Sequence, residues 1–379
     1  MIRLGRPLRR LFHFEPGTAF LNHGSFGATP RKVAAAAGRW RTRMESNPDR
    51  FMREFLPVAL RAAAGRLARI LHARERDMVF VENATSGINA VLRSLDLRRG
   101  DEILATTHTY NAVRQAIRET CRRSGAKLVA ARIALPVRSV DDLQLPIEQE
   151  LNRRTKLVVL DHIASPTGLI FPVKHLARLA RARGARVLVD GAHAPGQLEL
   201  DIPSLGADWY AGNCHKWLFA PKGCGFLWAR GGAQAGLHPA VISHGYGKGF
   251  AAEFDWTGTR DFSAWLSVPA GLDFLAAMGA SRVRAYNHRL VIDAARSISN
   301  AWGTPTDGPA HLHGSMMAIR LPDRLQRRDP ARLMADLLAA RRIVVAVAAV
   351  GGALWARISA QVYNAPGDYE RLAACRGIP

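Results

Sequence analysis

Lys216 stands in Gly212-Asn213-Cys214-His215-Lys216-Trp217, ahead of Pro221-Lys222-Gly223-Cys224-Gly225, and between two apolar runs, Ala207–Ala211 and Phe226-Leu227-Trp228. Both runs read as buried strands, so the turn between them holds its lysine away from bulk water. Desolvation lowers a lysine's pKa and frees the neutral amine as a nucleophile, which is what Schiff-base chemistry with a carbonyl compound needs. An ordinary turn lysine is the competing reading, so the assignment depends on what the rest of the chain brings to it.

The elements that must position it alternate between strand and helix. Strands are expected at Met78–Val81, Glu102–Thr106, Leu157–Asp161 and Arg186–Asp190, and helices at Asn111–Arg123 and Val173–Arg183. That order predicts an α/β domain with a largely parallel sheet, in which ligands gather at the carboxyl ends of the strands. Those ends carry Thr107-His108-Thr109-Tyr110, Asp161-His162-Ile163-Ala164-Ser165, Asp190-Gly191-Ala192-His193 and Asn213-Cys214-His215-Lys216. Met78–Val81 runs into Glu82-Asn83-Ala84-Thr85-Ser86-Gly87, a helix start whose free N–H groups and dipole suit an anion. Plain capping also accounts for Thr85 and Ser86. With neither a Walker loop nor GxGxxG, a nucleotide is not favoured. The set instead meets the needs of a phosphorylated aromatic aldehyde: a lysine for the aldehyde, a carboxylate for the ring nitrogen, an aromatic face for stacking and a helix N-terminus for the phosphate.

Composition bounds the reading. The 379 residues suffice for about two domains, and 48% hydrophobic with 22% charged residues describes a globular chain. No apolar run approaches the roughly 20 residues of a membrane span, and residues 11–16 are too short and polar for a signal core. A cytoplasmic location is expected. Cys121, Cys214, Cys224 and Cys375 lack metal-ligand spacing, so free thiols and no metal site are expected. The net charge of +22 comes mostly from dispersed arginine without interleaved aromatics. That pattern argues against specific nucleic-acid binding and fits attraction of a small anionic ligand.

Six segments carry a family resemblance: Asn22-His23-Gly24-Ser25-Phe26-Gly27, Asn83-Ala84-Thr85-Ser86-Gly87, Asp190-Gly191-Ala192-His193, His215-Lys216-Trp217, Trp256-Thr257-Gly258-Thr259-Arg260-Asp261 and Arg357-Ile358-Ser359. Spanning Leu11 to Asn364 in order, they resemble the class V aminotransferase-fold enzymes, and within these the isopenicillin N epimerase-like branch. The resemblance implies a fold-type-I, pyridoxal-phosphate-dependent homodimer with a large domain on a mostly parallel, seven-stranded sheet and a smaller C-terminal α+β domain. It implies an aldimine at Lys216, which would then move protons at the substrate Cα, with Asp190 on the ring nitrogen. Tyr110 or His108 would stack on the ring, with Tyr110 favoured. His193 and Ser165 would approach the ring 3-oxygen, and Thr85, Ser86, Asn213 and His215 would hold the phosphate. Thr259 would reach the phosphate of the neighbouring subunit. Arg357, with Asn22 and His23, would bind an amino-acid-type substrate through its carboxylate.

The chain divides, on this reading, into an arm over 1–16, a large cofactor-binding domain over 17–262 and a small domain over 263–379. Ser267–Met278, Ser281–Ser299 and Asp368–Cys375 are expected as helices, and Met316–Arg320 and Ile343–Val347 as strands. The glycine-rich stretch His244–Gly249 is expected to gate the pocket. One departure narrows the chemistry: Arg341–Ala356 contains no cysteine, which disfavours a persulfide-forming desulfurase. Three outcomes stay open from a Cα carbanion: epimerisation, β-elimination as in a C–S lyase, and transamination. A non-catalytic nucleic-acid-binding protein on the same fold is the rival from another class.

Overall fold

The computed structural model describes residues 2–375. Met1 and residues 376–379, at the ends of the expected arm and small domain, lie outside the described residues. Among the described residues twelve strands occur in chain order: β1 (Ala19–Phe20), β2 (Met78–Val81), β3 (Glu102–Thr106), β4 (Lys127–Ala131), β5 (Thr155–Asp161), β6 (Arg186–Gly191), β7 (Trp209–Asn213), β8 (Gly225–Ala229), β9 (Met316–Arg320), β10 (Ile343–Val344), β11 (Ala346–Val350) and β12 (Ala353–Ser359).

Seven of these form one sheet in the order β2-β8-β7-β6-β5-β3-β4. All its pairings are parallel except the two made by β8. The central stretches of the strands are apolar because helices cover both faces. Alternate residues go to opposite sides: Phe80, Leu104, Val158, Leu160, Val187 and Val189 join one core, and Val79, Ile103, Leu157, Val159 and Leu188 the other. The α/β expectation with a seven-stranded, mostly parallel sheet is borne out.

A second core surrounds the antiparallel sheet β11-β12-β9, closed by the helices Ala280–Trp302, Pro330–Arg341 and Pro366–Ala373. The two-residue strand β1 pairs in parallel with β10, so the start of the chain is tied to its last quarter. The segment expected as one strand over 343–347 splits into β10 and β11, which belong to different sheets. Helices Ser263–Leu266 and Val268–Met278 follow the expected boundary at 262/263, yet Trp265, Leu266, Leu272 and Phe274 pack into the core of the large sheet. Leu8 and Phe12, in the expected arm, are buried in that core too. No helix among the described residues is long and apolar enough to cross a membrane.

The parallel strands bring five loops to one edge of the large sheet, those after β2, β3, β5, β6 and β7. The last of these, the turn from β7 into the antiparallel β8, carries Lys216. Close packing fixes the edge at Gly191, where a Cβ would lie 2.0 Å from the Tyr210 ring. Gly191→Ala should therefore destabilise the fold by about 1–3 kcal/mol; thermal unfolding of the variant checks this, and an unchanged midpoint would show that the ring has room to shift.

Candidate active site

The Lys216 turn is clamped from two directions. The Cys214 and His215 N–H groups both donate to the Cys224 carbonyl, at 3.0 and 3.2 Å, and the Ala220 N–H donates to Cys214 O at 3.1 Å. From the other side comes the short helix His23–Phe26: the His23 Nε2 lies 3.0 Å from Lys216 O and its Nδ1 2.8 Å from Tyr363 Oη. Gly27 follows with φ 68°, and a Cβ there would sit 2.0 Å from His215 O, so no other residue fits without moving the turn. His23 is fully buried, and burial lowers its pKa to about 3, which keeps the ring neutral. This corrects the reading of His23 as a substrate ligand: both ring nitrogens are spent on protein partners, and the residue bolts the lysine turn to the C-terminal part of the chain.

Lys216 lines a cavity of about 850 Å³ that opens at the sheet edge. It is 8% exposed, and its pKa falls to about 7 through burial and the nearby Arg357 cation, against which Asp190 acts. The Lys216 Nζ lies 3.1 Å from His193 Nε2, which in turn lies 3.2 Å from Ser165 Oγ. Burial and the same two cations hold His193 well below the usual imidazole range, so its ring is neutral; its Nδ1 has no partner. Asp190 and Asp161 are both buried in the cavity wall, and burial raises both carboxyls.

Arg357 is the second buried cation, 4% exposed, with its pKa lowered to about 10 by burial. Its guanidinium donates to the Ser165 carbonyl, to Asn22 Oδ1 at 2.9 Å and to Ser25 Oγ at 3.0 Å, while its Nε has no partner. No carboxylate pairs with Arg357 among the described residues. A buried guanidinium held only by neutral acceptors is a receptor for an incoming carboxylate.

The helix Ala84–Arg93 opens onto the same cavity. Asn83 Oδ1 caps it, accepting from the Ser86 N–H at 2.9 Å, and Asn213 Oδ1 accepts from the Ala84 N–H at 2.8 Å. The Thr85 N–H between them has no acceptor among the described residues. With the Thr85 and Ser86 side chains and His215 on the cavity wall, this is a cradle for a phosphate. The surroundings fit a phosphorylated pyridine aldehyde: a poorly solvated amine, buried carboxylates, orphaned nitrogens on His193 and Arg357, and an open helix N-terminus.

Of the residues read from sequence, Lys216, Asp190, His193, Ser165, Thr85, Ser86, Asn213, His215 and Tyr110 all line the cavity. Asn22 and Arg357 stand behind the cavity wall, where the Arg357 guanidinium bonds to Asn22 and to the lining residues Ser25 and Ser165. His108 does not reach it: the residue is 1% exposed beneath the rim, and burial lowers its pKa to about 4, whereas Tyr110 stands 46% exposed at the mouth. Thr259 is exposed and outside the cavity of this chain, although Thr257 lines it. The glycine-rich loop expected as a gate lies off the wall, with the Gly247 N–H on Glu253 and Tyr246 against His238. Asp161, Ser25, Phe26 and Glu82 line the cavity without having been singled out as site residues. Asp161 was visible as a strand end, but its place beside Asp190 follows only from strand pairing. All four cysteines are buried, none lines the cavity, and no cluster of metal-binding side chains occurs among the described residues.

A family model for class-V aminotransferases matches residues 21–372, and the chain belongs to that family. It is a pyridoxal-phosphate-dependent enzyme. A protein of Oryza sativa subsp. japonica named putative L-cysteine desulfhydrase 1 is 34% identical over 398 residues, which cover 95% of this chain and 83% of that one. The isopenicillin N epimerase of Amycolatopsis lactamdurans is 35% identical over 387 residues, 96% of each chain. The branch read from the motifs is thus borne out. The apo structure of a cysteine desulfurase from Thermococcus onnurineus NA1 has a TM-score of 0.84 at 21% identity, covering 99% of this chain and 97% of that one; this is a likeness of fold.

A lysine pKa near 7 makes a testable statement about pH. In the cofactor-free protein the rate of pyridoxal phosphate attachment should rise about tenfold from about pH 6 to 8 as the amine deprotonates, then level off. Stopped-flow absorbance would show this; a rise that continued to about pH 10 would mean the lysine is not desolvated.

Proposed function

We propose that this enzyme removes the Cα proton of a small sulfur-containing amino acid, with L-cysteine as the first candidate, and expels the β-sulfur. Pyridoxal phosphate, when bound, supplies a carbonyl for the substrate amine and a ring that withdraws electrons from Cα. Lys216 carries the cofactor and takes the Cα proton. Asp190 holds the ring nitrogen protonated, His193 and Ser165 face the ring 3-oxygen, and Tyr110 covers the ring. Thr85, Ser86, Asn213 and His215 hold the phosphate. Arg357, oriented by Asn22 and Ser25, grips the substrate carboxylate.

The contact that carries this reading is the 3.1 Å approach of Lys216 Nζ to His193 Nε2. It gathers the proton-transferring groups into one cluster within reach of the Arg357 charge. Elimination needs no more than one such cluster: the proton leaves Cα, the Cβ–S bond breaks, and the same cluster returns the proton to the departing thiolate. The 2-aminoacrylate released reacts with water to give pyruvate and ammonium. With every cysteine buried away from the cavity, sulfur leaves as sulfide and does not pass to a protein thiol.

Epimerisation is the second reading, supported by the relative of that name that matches end to end at 35% identity. It requires an acid on the opposite face. Two copies of the chain make the working unit on either reading, with Thr259 crossing to the neighbour's phosphate. Exposed apolar side chains at the cavity mouth, Phe26 (70%) and Val241 (58%), support such a contact.

Incubation of the loaded enzyme with L-cysteine in D₂O separates the readings. Sulfide and pyruvate should form in equal amounts, and Lys216→Ala should abolish both. Cα deuteration with inversion and no sulfide would instead make it an epimerase. Arg357→Gln should raise KM about 10- to 100-fold, the worth of a charge-assisted carboxylate contact, with a smaller effect on kcat; an unchanged KM would place the substrate carboxylate elsewhere.

A further inference from the structure

Asp161, the last residue of β5, and Asp190, the last but one of β6, are direct register partners in adjacent parallel strands. Neighbouring strands run about 4.8 Å apart, and partner residues in a parallel pair point to the same face. Both side chains line the same cavity, at 2% and 5% exposure. Their surroundings differ. Asp190 Oδ1 accepts from the Ala192 N–H at 3.0 Å, and the Lys216 cation acts on it. Asp161 Oδ2 accepts from Thr109 Oγ1 at 3.2 Å, and the backbone N–H groups of Tyr110 and of Asp161 itself also favour its carboxylate, but no cation pairs with it among the described residues. The next ring, His162, turns to Tyr210, with Nδ1 3.0 Å from the phenol oxygen. Two carboxylates buried side by side do not both ionise readily, and the one without a cation beside it keeps the proton.

We propose that Asp161 is the protonated half of a two-carboxylate site, a neutral acid that leaves one negative charge on Asp190 and fixes that carboxylate's orientation toward the cofactor ring. Asp161 is thus a positioning residue, acting through Asp190. The inference deepens the reading of Asp190 as the ring-nitrogen partner and rests on it. Burial and the Asp190 charge both drive the Asp161 carboxyl well above the usual range, while the Ala192 N–H and Lys216 draw Asp190 back down. Ionising both would leave two buried anions facing one lysine.

Carboxyl ¹³C NMR of the full-length protein labelled at aspartate, with and without pyridoxal phosphate, tests this. One resonance should stay at the protonated position from about pH 5 to 8, where free aspartate is ionised, and Asp161→Asn should delete it. In Asp161→Asn the Kd for pyridoxal phosphate should stay within about threefold, whereas Asp161→Ala should weaken it by more than about tenfold. The absence of a protonated resonance, or deletion of an ionised one by Asp161→Asn, overturns the proposal. Equal weakening by Asn and Ala does so too, since a neutral amide would then not replace the acid. Should the Ala variant not fold, the Asn variant and the wild-type spectrum still decide. An Asp190→Asn variant with unchanged Kd and cofactor absorbance would overturn the ring-nitrogen reading while leaving the Asp161 resonance in place, so the two failures are distinct.

Discussion

Lys216 and Arg357 are both held out of water close enough for the guanidinium charge to act on the amine, and the rest of the site is arranged around that repulsion. Moving the lysine from its usual pKa of 10.5 to about 7 corresponds to roughly 5 kcal/mol of bias against the ammonium. Desolvation is the larger cause and Arg357 the second, so Asp190 offsets the cost only in part. The outcome is an amine that is nucleophilic at neutral pH beside a guanidinium that stays charged. One group is thereby suited to attack a carbonyl and the other to hold a carboxylate.

That arrangement persists because the surrounding shell is rigid. The β7–β8 turn takes backbone hydrogen bonds from within, and His23, Trp217, Phe219 and Tyr363 pack ring against ring behind it. His23 joins this shell as a neutral, fully bonded imidazole. Such a group costs little to bury and leaves no charge to compete with the lysine. The opposite wall differs in kind. Phe26, Tyr110 and Val241 line the cavity and stand exposed, so this part of it is the least enclosed.

Much of this was legible from residue order. The strands Met78–Val81, Glu102–Thr106 and Met316–Arg320 lie where their apolar runs place them, and the polar groups that follow β3, β5, β6 and β7 do converge. What escaped depends on non-local geometry or on weak local signals. β4 sits at the sheet edge with only one of its five residues buried, so its sequence lacks the run of a central strand, and the helix Asp141–Glu150 hides behind an internal Pro146. His108 and Tyr110 are two residues apart. Which of them faces the cavity is decided by the tight turn in which the Thr109 N–H bonds to Thr106 O, directly before the next helix begins. The neighbours Asp161 and Asp190 are 29 positions apart in sequence and are brought side by side by register alone.

The pairing of β1 with β10, and the contacts of Asn22 and His23 with Arg357 and Tyr363, have a consequence for how the protein is made. The residues that brace the lysine turn are separated from their partners by up to 340 positions. A ribosome adding about 5–20 residues per second needs roughly 20–70 s to cross that interval. During this time the sheet can form, but the lysine turn lacks its bolt and the carboxylate receptor does not exist. The lysine turn of the nascent chain therefore lacks its full bracing until the last quarter has emerged, and the reactive amine is completed together with the shell that governs it.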